Sequence, residues 1–447
     1  MQTKQRQPFV RGDFEAGEFR RRCQQVMDGI GEQAIAVIPG AAASGAFDVF
    51  RQTNEFYYLC GIEVPQAYLV LDGRNRSSCL YLPAANERLE RSEGAVVNAS
   101  DVELVVNVTG LDQLKEHQAL AGDLRAANEI WVPFSPGERR QMCRDVIAQG
   151  VKMRDDDPWD NWKSREERFL DLLRGASSPD QIRDLCPLLD RQREVKSPRE
   201  VELMREAGRL TAVAVLDSMR ATSEGIYEFQ LAALAEQRFL TEGAFGGAYR
   251  AIVACGENIW NAHYFRNNAQ LQAGQLVLMD YAPDFSYYTS DIGRMWPVNG
   301  SYDDLQRELY GYMVDYHKVL IDHIRPGVTA EQVMQEAADK MRPVVESTGW
   351  SRSSFRDAAR ATLEFQGHLS HGVGMSVHDV GDYQQTELQE GVVFALDPQM
   401  WVPADEIYVR VEDTVAVTSE GVEVLTEAAP LDLSDVEAVI GTEPLLG

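Results

Sequence analysis

Acidic residues sit inside the apolar runs of the C-terminal half of this chain. The run QLVLMDYA (275–282) carries Asp280 after four apolar residues, and YYTSDIGRMWPV (287–298) carries Asp291. Further on, VVFALDPQMWV (392–402) encloses Asp397 and YVRVEDTVAV (408–417) encloses Glu412. Short apolar runs bounded by Gly, Pro and Asp read as strands. Period-two alternation then puts Arg410 and Glu412 on one face of theirs. A carboxylate inside an apolar strand is costly unless it is paired or bound to a cation. Taken singly, each acid also suits a strand end wetted by solvent, and for Asp280 alone that is the simpler reading. Four such acids with a histidine on a nearby segment make an oxygen-rich site with one nitrogen ligand. That donor set suits two divalent ions of the Mn, Co or Zn kind. Two ions about 3.5–4 Å apart hold a bridging hydroxide and polarise a carbonyl, which is metal-assisted hydrolysis.

The histidine comes from HLSHGVGMSVHDVG (368–381), which places His368, His371 and His378 in fourteen residues of a chain with seven histidines. Histidine is both a neutral metal ligand and a group that titrates near physiological pH. Alone, the cluster suits a solvent-facing turn equally well. His263, beside Tyr264 and Phe265, reads on its own as a packed histidine. His117, His317 and His323 lie in helical, charged surroundings and read as surface residues. Arg410 has a forked guanidinium suited either to a neighbouring acid or to a substrate carboxylate.

At 447 residues the chain exceeds one ordinary core, so two domains are expected. Residues 13–30 carry apolar positions at helical spacing. The runs AIAVIP (34–39), FYYLCG (56–61), YLVLDG (68–73), CLYLP (79–83) and EIWVPF (129–134) then read as strands separated by helices. This is an α/β N-terminal domain, placed at 1–180. A charged stretch follows from about residue 150 to 195, with the boundary near 175–190. In the C-terminal domain, 190–447, Ser197-Pro198-Arg199-Glu200 forms a helix start with a capping box. Two more helices are expected over 306–324, stopped by Arg325-Pro326-Gly327, and over 330–347. With the strand runs this makes an α+β unit.

The net charge of −27 argues against nucleic acid and anionic membrane as partners, since both need basic surface. No run of about eighteen apolar residues is present, so no transmembrane helix is expected. MQTKQRQPFVRGDFEAG lacks the apolar segment of a secretory leader. The six cysteines are scattered without a C-x-x-C pair, which suits free thiols in a reducing cytoplasm.

The ordered set Asp280, Asp291, His371, Asp397, Glu412 resembles the five-ligand order of the Xaa-Pro aminopeptidase and prolidase group, dinuclear metallopeptidases with the pita-bread fold. The flanks agree: GEN (256–258), HY (263–264), TSDIGRMWPVNG, SHGVG, VHDVG and VRVED look like family segments. REVKSPREVELMREA (193–207) resembles the linker into the catalytic domain, and FRQTNEFYYLCG looks like the N-terminal domain of the aminopeptidases. The resemblance implies that Asp280 chelates one metal, Asp291 and Glu412 bridge both, and His371 and Asp397 complete the second metal's shell. It implies that His263 and His378 sit by the substrate and steady the tetrahedral intermediate, with Arg410 as an active-site arginine. It further implies manganese as the first choice of metal, a peptide substrate with proline second, and a homodimer or homotetramer.

The chain departs from the family pattern at several places. Asp397-Pro398-Gln399 stands where Glu-Pro-Gly is usual, one methylene shorter at a ligand that also shuttles a proton. Gly367 occupies the place of a common histidine, with His368 displaced by one and given no role. Ala282, Gly293 and Met295 replace a glycine and two small hydroxyl residues. The reading is hydrolysis of the Xaa-Pro bond at peptide N-termini by a metal-bridging hydroxide, with Asp397 relaying the proton. The rivals are a prolidase restricted to dipeptides, a metal-free hydrolase of the creatinase kind, and a catalytically weakened binding protein on the same fold.

Overall fold

The computed structural model describes residues 12–42, 49–124, 127–160, 162–176 and 181–443. The segment tested above for a leader lies outside these residues up to position 11. The chain divides into two compact units, Met1–Gln192 and Arg193–Gly447. Among the described residues no helix is long and apolar enough to cross a membrane.

The first unit is built on a mixed sheet of β1 (Ala34–Pro39), β2 (Tyr68–Asp72), β3 (Ser77–Leu82), β4 (Gln113–Glu116), β5 (Glu129–Val132) and β6 (Ile182–Asp184). Their order is β4-β3-β2-β1-β5-β6, with β2 antiparallel to both its neighbours and the β3–β4, β1–β5 and β5–β6 pairs parallel. Helices join the strands, as an α/β domain requires. One expected strand is a helix instead. FYYLCG belongs to the helix Asn54–Cys60, which is buried along its whole length. A short apolar run has no periodicity that separates a buried strand from a buried helix. The helix ends at Gly61, whose φ of 66° is left-handed and whose N–H reaches Tyr57 O. A Cβ at Gly61 would also lie 2.5 Å from the Phe19 ring.

The second unit carries an antiparallel sheet. Its strands are β7 (Ile252–Cys255), β8 (Leu276–Asp280), β9 (Ile292–Pro297), β10 (Leu369–Gly372), β11 (Val393–Leu396), β12 (Gln399–Val402), β13 (Ile407–Arg410), β14 (Glu412–Val417) and β15 (Val422–Val424). The order is β10-β11-β14-β9-β8-β7, with β15 on β14 and a separate β12–β13 hairpin. The expected strand 392–402 breaks at Asp397-Pro398, because proline has no N–H to give the ladder. The run 408–417 breaks opposite it at Val411, whose N–H bonds to Pro398 O. These two breaks release the hairpin from the sheet, and a site acid lies beside each. The run 287–298 is strand only from Ile292. Before it, Ser286 and Tyr287 take left-handed φ values of 53° and 71°, which no ladder accommodates.

Long helices pack on this sheet. Pro198–Ala221 starts with the expected capping box, Ser197 with Glu200. Asp304–His323 and Ala330–Ser347 start with boxes of the same kind, Asp303 with Gln306 and Thr329 with Gln332. Val215, Met219, Met313, Tyr316 and Val333 from these helices close over Val277, Met279 and Trp296 of the sheet in one apolar core. Trp296 is fully buried, and its Nε1–H donates to Thr222 Oγ1 at 2.8 Å. Trp296→Ala therefore leaves a cavity and removes a buried hydrogen bond to the Thr222 hydroxyl, which keeps its own bond to Ser218 O. It is expected to cost about 3–5 kcal/mol, read as a lower urea midpoint by near-UV circular dichroism. An unchanged midpoint would contradict this packing.

Candidate metal centre

The strand ends bring the predicted acids together. Asp280 closes β8, Asp291 precedes β9, Asp397 follows β11, Glu412 opens β14, and all four are buried. His371 lies on β10, with Nε2 at 3.4 Å from Asp291 Oδ2. Donor atoms of Asp291, His371 and Glu412 lie within 4.8 Å of one another. Arg410, the last residue of β13, inserts its guanidinium among them. It pairs with Asp280, approaches Glu412 Oε2 at 3.2 Å and Asp397 Oδ1 at 3.9 Å.

Gly293 makes this insertion possible. A Cβ there would lie 2.9 Å from Arg410 Nε and 2.9 Å from Glu412 Cβ. The departure at position 293 is thus the space the guanidinium fills. The departure at 367 has a similar cause, since a Cβ at Gly367 would meet the Phe365 ring at 2.4 Å. Phe365 packs edge-on to His368, 5.0 Å between ring centres. His368 is itself fully buried, with Nε2 at 2.7 Å from Thr362 O, and burial pushes it down to about 4. Its carbonyl accepts the N–H of Asp397 at 2.8 Å. His368 therefore fixes the backbone of a site acid rather than facing the site.

Charge dominates the centre. Four carboxylates against one guanidinium leave a strong negative excess with little water to screen it. Burial raises Asp397 to about 6, with Arg410 opposing and Asp280 adding. Burial likewise raises Asp291 and Glu412 well above the ordinary carboxylate range, and neighbouring acids add to it. Burial lowers His371 to about 3, helped by His378, so it is neutral and free to donate a lone pair. Asp280 Oδ1 and Asp397 Oδ1 have no hydrogen-bond donor among the described residues. Orphaned buried oxygens, crowded acids and one neutral imidazole fit two divalent cations, which would offset the excess.

His378 stacks near His371, with ring centres 4.0 Å apart. Next to it, Asp379 is buried between Arg193 at 2.6 Å and Lys196 at 3.2 Å, which anchors the loop. His263 is exposed, on the loop after the turn Gly256–Trp260.

Several supporting residues escape a reading of the sequence. The Tyr249 hydroxyl donates to Asp291 Oδ1 at 2.7 Å, and Thr414 Oγ1 donates to Asp291 O at 2.8 Å. His317 is not a surface residue: it is fully buried, with Nε2 3.1 Å from Asp413 Oδ2. Helical spacing and charged neighbours conceal its inward face. Arg294 donates to Asp413 Oδ1 at 2.7 Å and to Glu412 O at 2.6 Å. Despite its burial, Asp413 is held well below the carboxylate range by Arg294 and His317. Only two residue pairs, Glu412–Gly293 and Asp413–Ile292, register β14 against β9. The Arg294–Asp413–His317 cluster clamps that short pairing.

Residues 202–419 match the model of metallopeptidase family M24, and residues 19–131 match that of the aminopeptidase P N-terminal domain. The Xaa-Pro aminopeptidase of Haemophilus influenzae is 32% identical over 404 residues, covering 87% of this chain and 88% of its own. The chain belongs to the Xaa-Pro aminopeptidase group of family M24. The Xaa-Pro aminopeptidase of Escherichia coli is 27% identical over 466 residues, covering 95% and 97%. The structure of aminopeptidase P from E. coli with the inhibitor Pro-Leu superposes with a TM-score of 0.76 at 26% identity, over 95% of this chain and 98% of that one. The fold is therefore the pita-bread fold with an aminopeptidase P N-terminal domain. All eight predicted site residues, from His263 to Glu412, fall inside the M24 match.

Two expectations follow. An acid whose folded pKa is raised costs the fold stability as pH climbs from its unfolded pKa through its folded one, and metal binding requires the ionised form. After chelator treatment, adding Mn, Co or Zn at pH 7.5 is expected to raise the thermal midpoint. The increment shrinks at pH 5, where Asp397, raised to about 6, is mostly protonated. Scanning fluorimetry at both pH values checks this. Asp413→Ala leaves Arg294 buried without its carboxylate and is expected to destabilise by about 3–5 kcal/mol, measured by urea unfolding.

Proposed function

We propose that the chain hydrolyses the Xaa-Pro bond at peptide N-termini, releasing the first residue from peptides with proline second. The observation that carries this is the buried cluster of four acids and neutral His371 around Arg410, on a fold shared with the Xaa-Pro aminopeptidases. Asp280 would hold one divalent ion, Asp291 and Glu412 both, and His371 with Asp397 the second. Bound there, the ions would supply a Lewis acid and a nucleophilic water at neutral pH.

The other steps belong to the protein. His378, its ring centre 4.0 Å from that of His371, would donate to the oxygen on which negative charge develops. His263 is assigned a similar place on the substrate side. Asp397, beside the same ions, would accept a proton from water and return it to the leaving nitrogen. Arg410 orients Asp280 and Glu412 and offers its remaining donors to a substrate carboxylate.

Manganese is the first choice among Mn, Co and Zn, all of which suit carboxylate with one imidazole. Six free, buried cysteines suit a cytoplasmic protein. A homodimer or homotetramer is proposed from the family alone. A weakened binding protein remains the second reading, because Arg410 pairs with the acids and Asp397 is the shorter carboxylate.

Metal-loaded protein is expected to cleave an Xaa-Pro-Xaa tripeptide faster than an Xaa-Pro dipeptide, measured by release of the first amino acid. Dipeptide-only cleavage would make it a prolidase, and no cleavage with metal bound would favour the binding protein. His378→Ala is expected to lower kcat roughly 100–1,000-fold with a smaller effect on KM. Retained kcat would remove His378 from the mechanism.

A further inference from the structure

Away from the acid cluster, the second unit holds a cavity of about 400 Å³. Its floor is apolar: Ile259, Leu276, Met295, Leu309 and Val409 line it, and all but Leu276 are fully buried. Its mouth is acidic, because Glu257, Asp303 and Glu406 line it and are exposed. No lining residue is basic.

Exposed acids are ordinary on a chain with a net charge of −27, so the rim alone signifies little. Three further features single it out. The Glu257 and Glu406 carboxylates have no hydrogen bond or ion pair among the described residues, whereas neighbouring Asp405 is tied to Arg352 and Ser354. Glu406 also occupies a left-handed turn position, φ 52°, where glycine or asparagine is the unstrained choice. The cavity's volume of about 400 Å³ has room for an apolar body of about ten heavy atoms, at the small end of ordinary ligand sites.

The geometry points to a second ligand site for a small apolar primary amine, its hydrocarbon in the floor and its ammonium between Glu257 and Glu406. An anionic ligand would meet three carboxylates. A neutral one would gain burial but leave them unused. An ammonium gains both terms, burial and charge-assisted hydrogen bonds. The site is distinct from the metal centre but adjoins it, since Met295 of the floor accepts the Arg410 N–H on its sulfur at 3.4 Å.

The test uses the full-length, metal-loaded protein and two probes of one shape, 3-phenylpropylamine and 3-phenylpropanol, titrated calorimetrically. The amine is expected to bind at least tenfold tighter than the alcohol, and the gap narrows as salt rises. In the double variant Glu257→Gln, Glu406→Gln the amine loses that advantage while the alcohol is unchanged. Both positions are exposed and outside the metal centre, so circular dichroism and peptide cleavage should match the parent. Leu305→Trp, which adds bulk to the lining, is expected to abolish binding of both probes. Failure of the amine to bind overturns the proposal. Equal binding of amine and alcohol does so too, as does an amine affinity untouched by the double variant, which would locate the amine at the metal centre instead.

Discussion

Like charges held close together out of water set the terms for the catalytic unit. Two carboxylates about 4 Å apart repel by roughly 4 kcal/mol at an effective dielectric near 20. Asp280, Asp291, Asp397 and Glu412 are all buried in one place. Such a cluster pushes apart the strands that carry it unless something holds them. Arg410 answers from within, and its room comes from a glycine on the neighbouring strand. Beneath the sheet, Arg294 bridges from β9 to β14 and meets Asp413, which His317 steadies from the helix Asp304–His323. The loop that carries His371 and His378 has its own anchor in Asp379 between Arg193 and Lys196.

Proline and backbone carbonyls finish what charge begins. The break at Asp397-Pro398 turns the chain out of the sheet, and the His368 carbonyl fixes the N–H of Asp397 at that corner. A shorter carboxylate therefore stands on a well-held backbone. Its reach is set by one side-chain torsion less than glutamate has, so ion spacing depends more directly on the strand positions than on side-chain adjustment.

Much of this was legible in the residues. The acids announced themselves because an apolar strand with an unpaired carboxylate is unstable, and their order with His371 pointed to one family. Capping boxes at Ser197 and the proline-glycine stop after His323 marked helices without tertiary help. What escaped has two physical causes. FYYLCG is buried on all sides, and uniform burial carries no period, so it passed for a strand. His317, Tyr249 and Thr414 matter through contacts made by distant segments, which local pattern does not encode. His317 was misplaced on the surface for that reason. His263 sits on a loop, where neither burial nor strand period marks a role in the residues themselves.

The buried arginine has one more consequence. A pocket of bare acids would make folding wait on its ions. Arg410 gives this chain a tethered counterion that offsets part of the cluster's charge from within the polypeptide. For a pocket built in advance from oxygen donors and one imidazole, intrinsic affinity follows the Irving–Williams series.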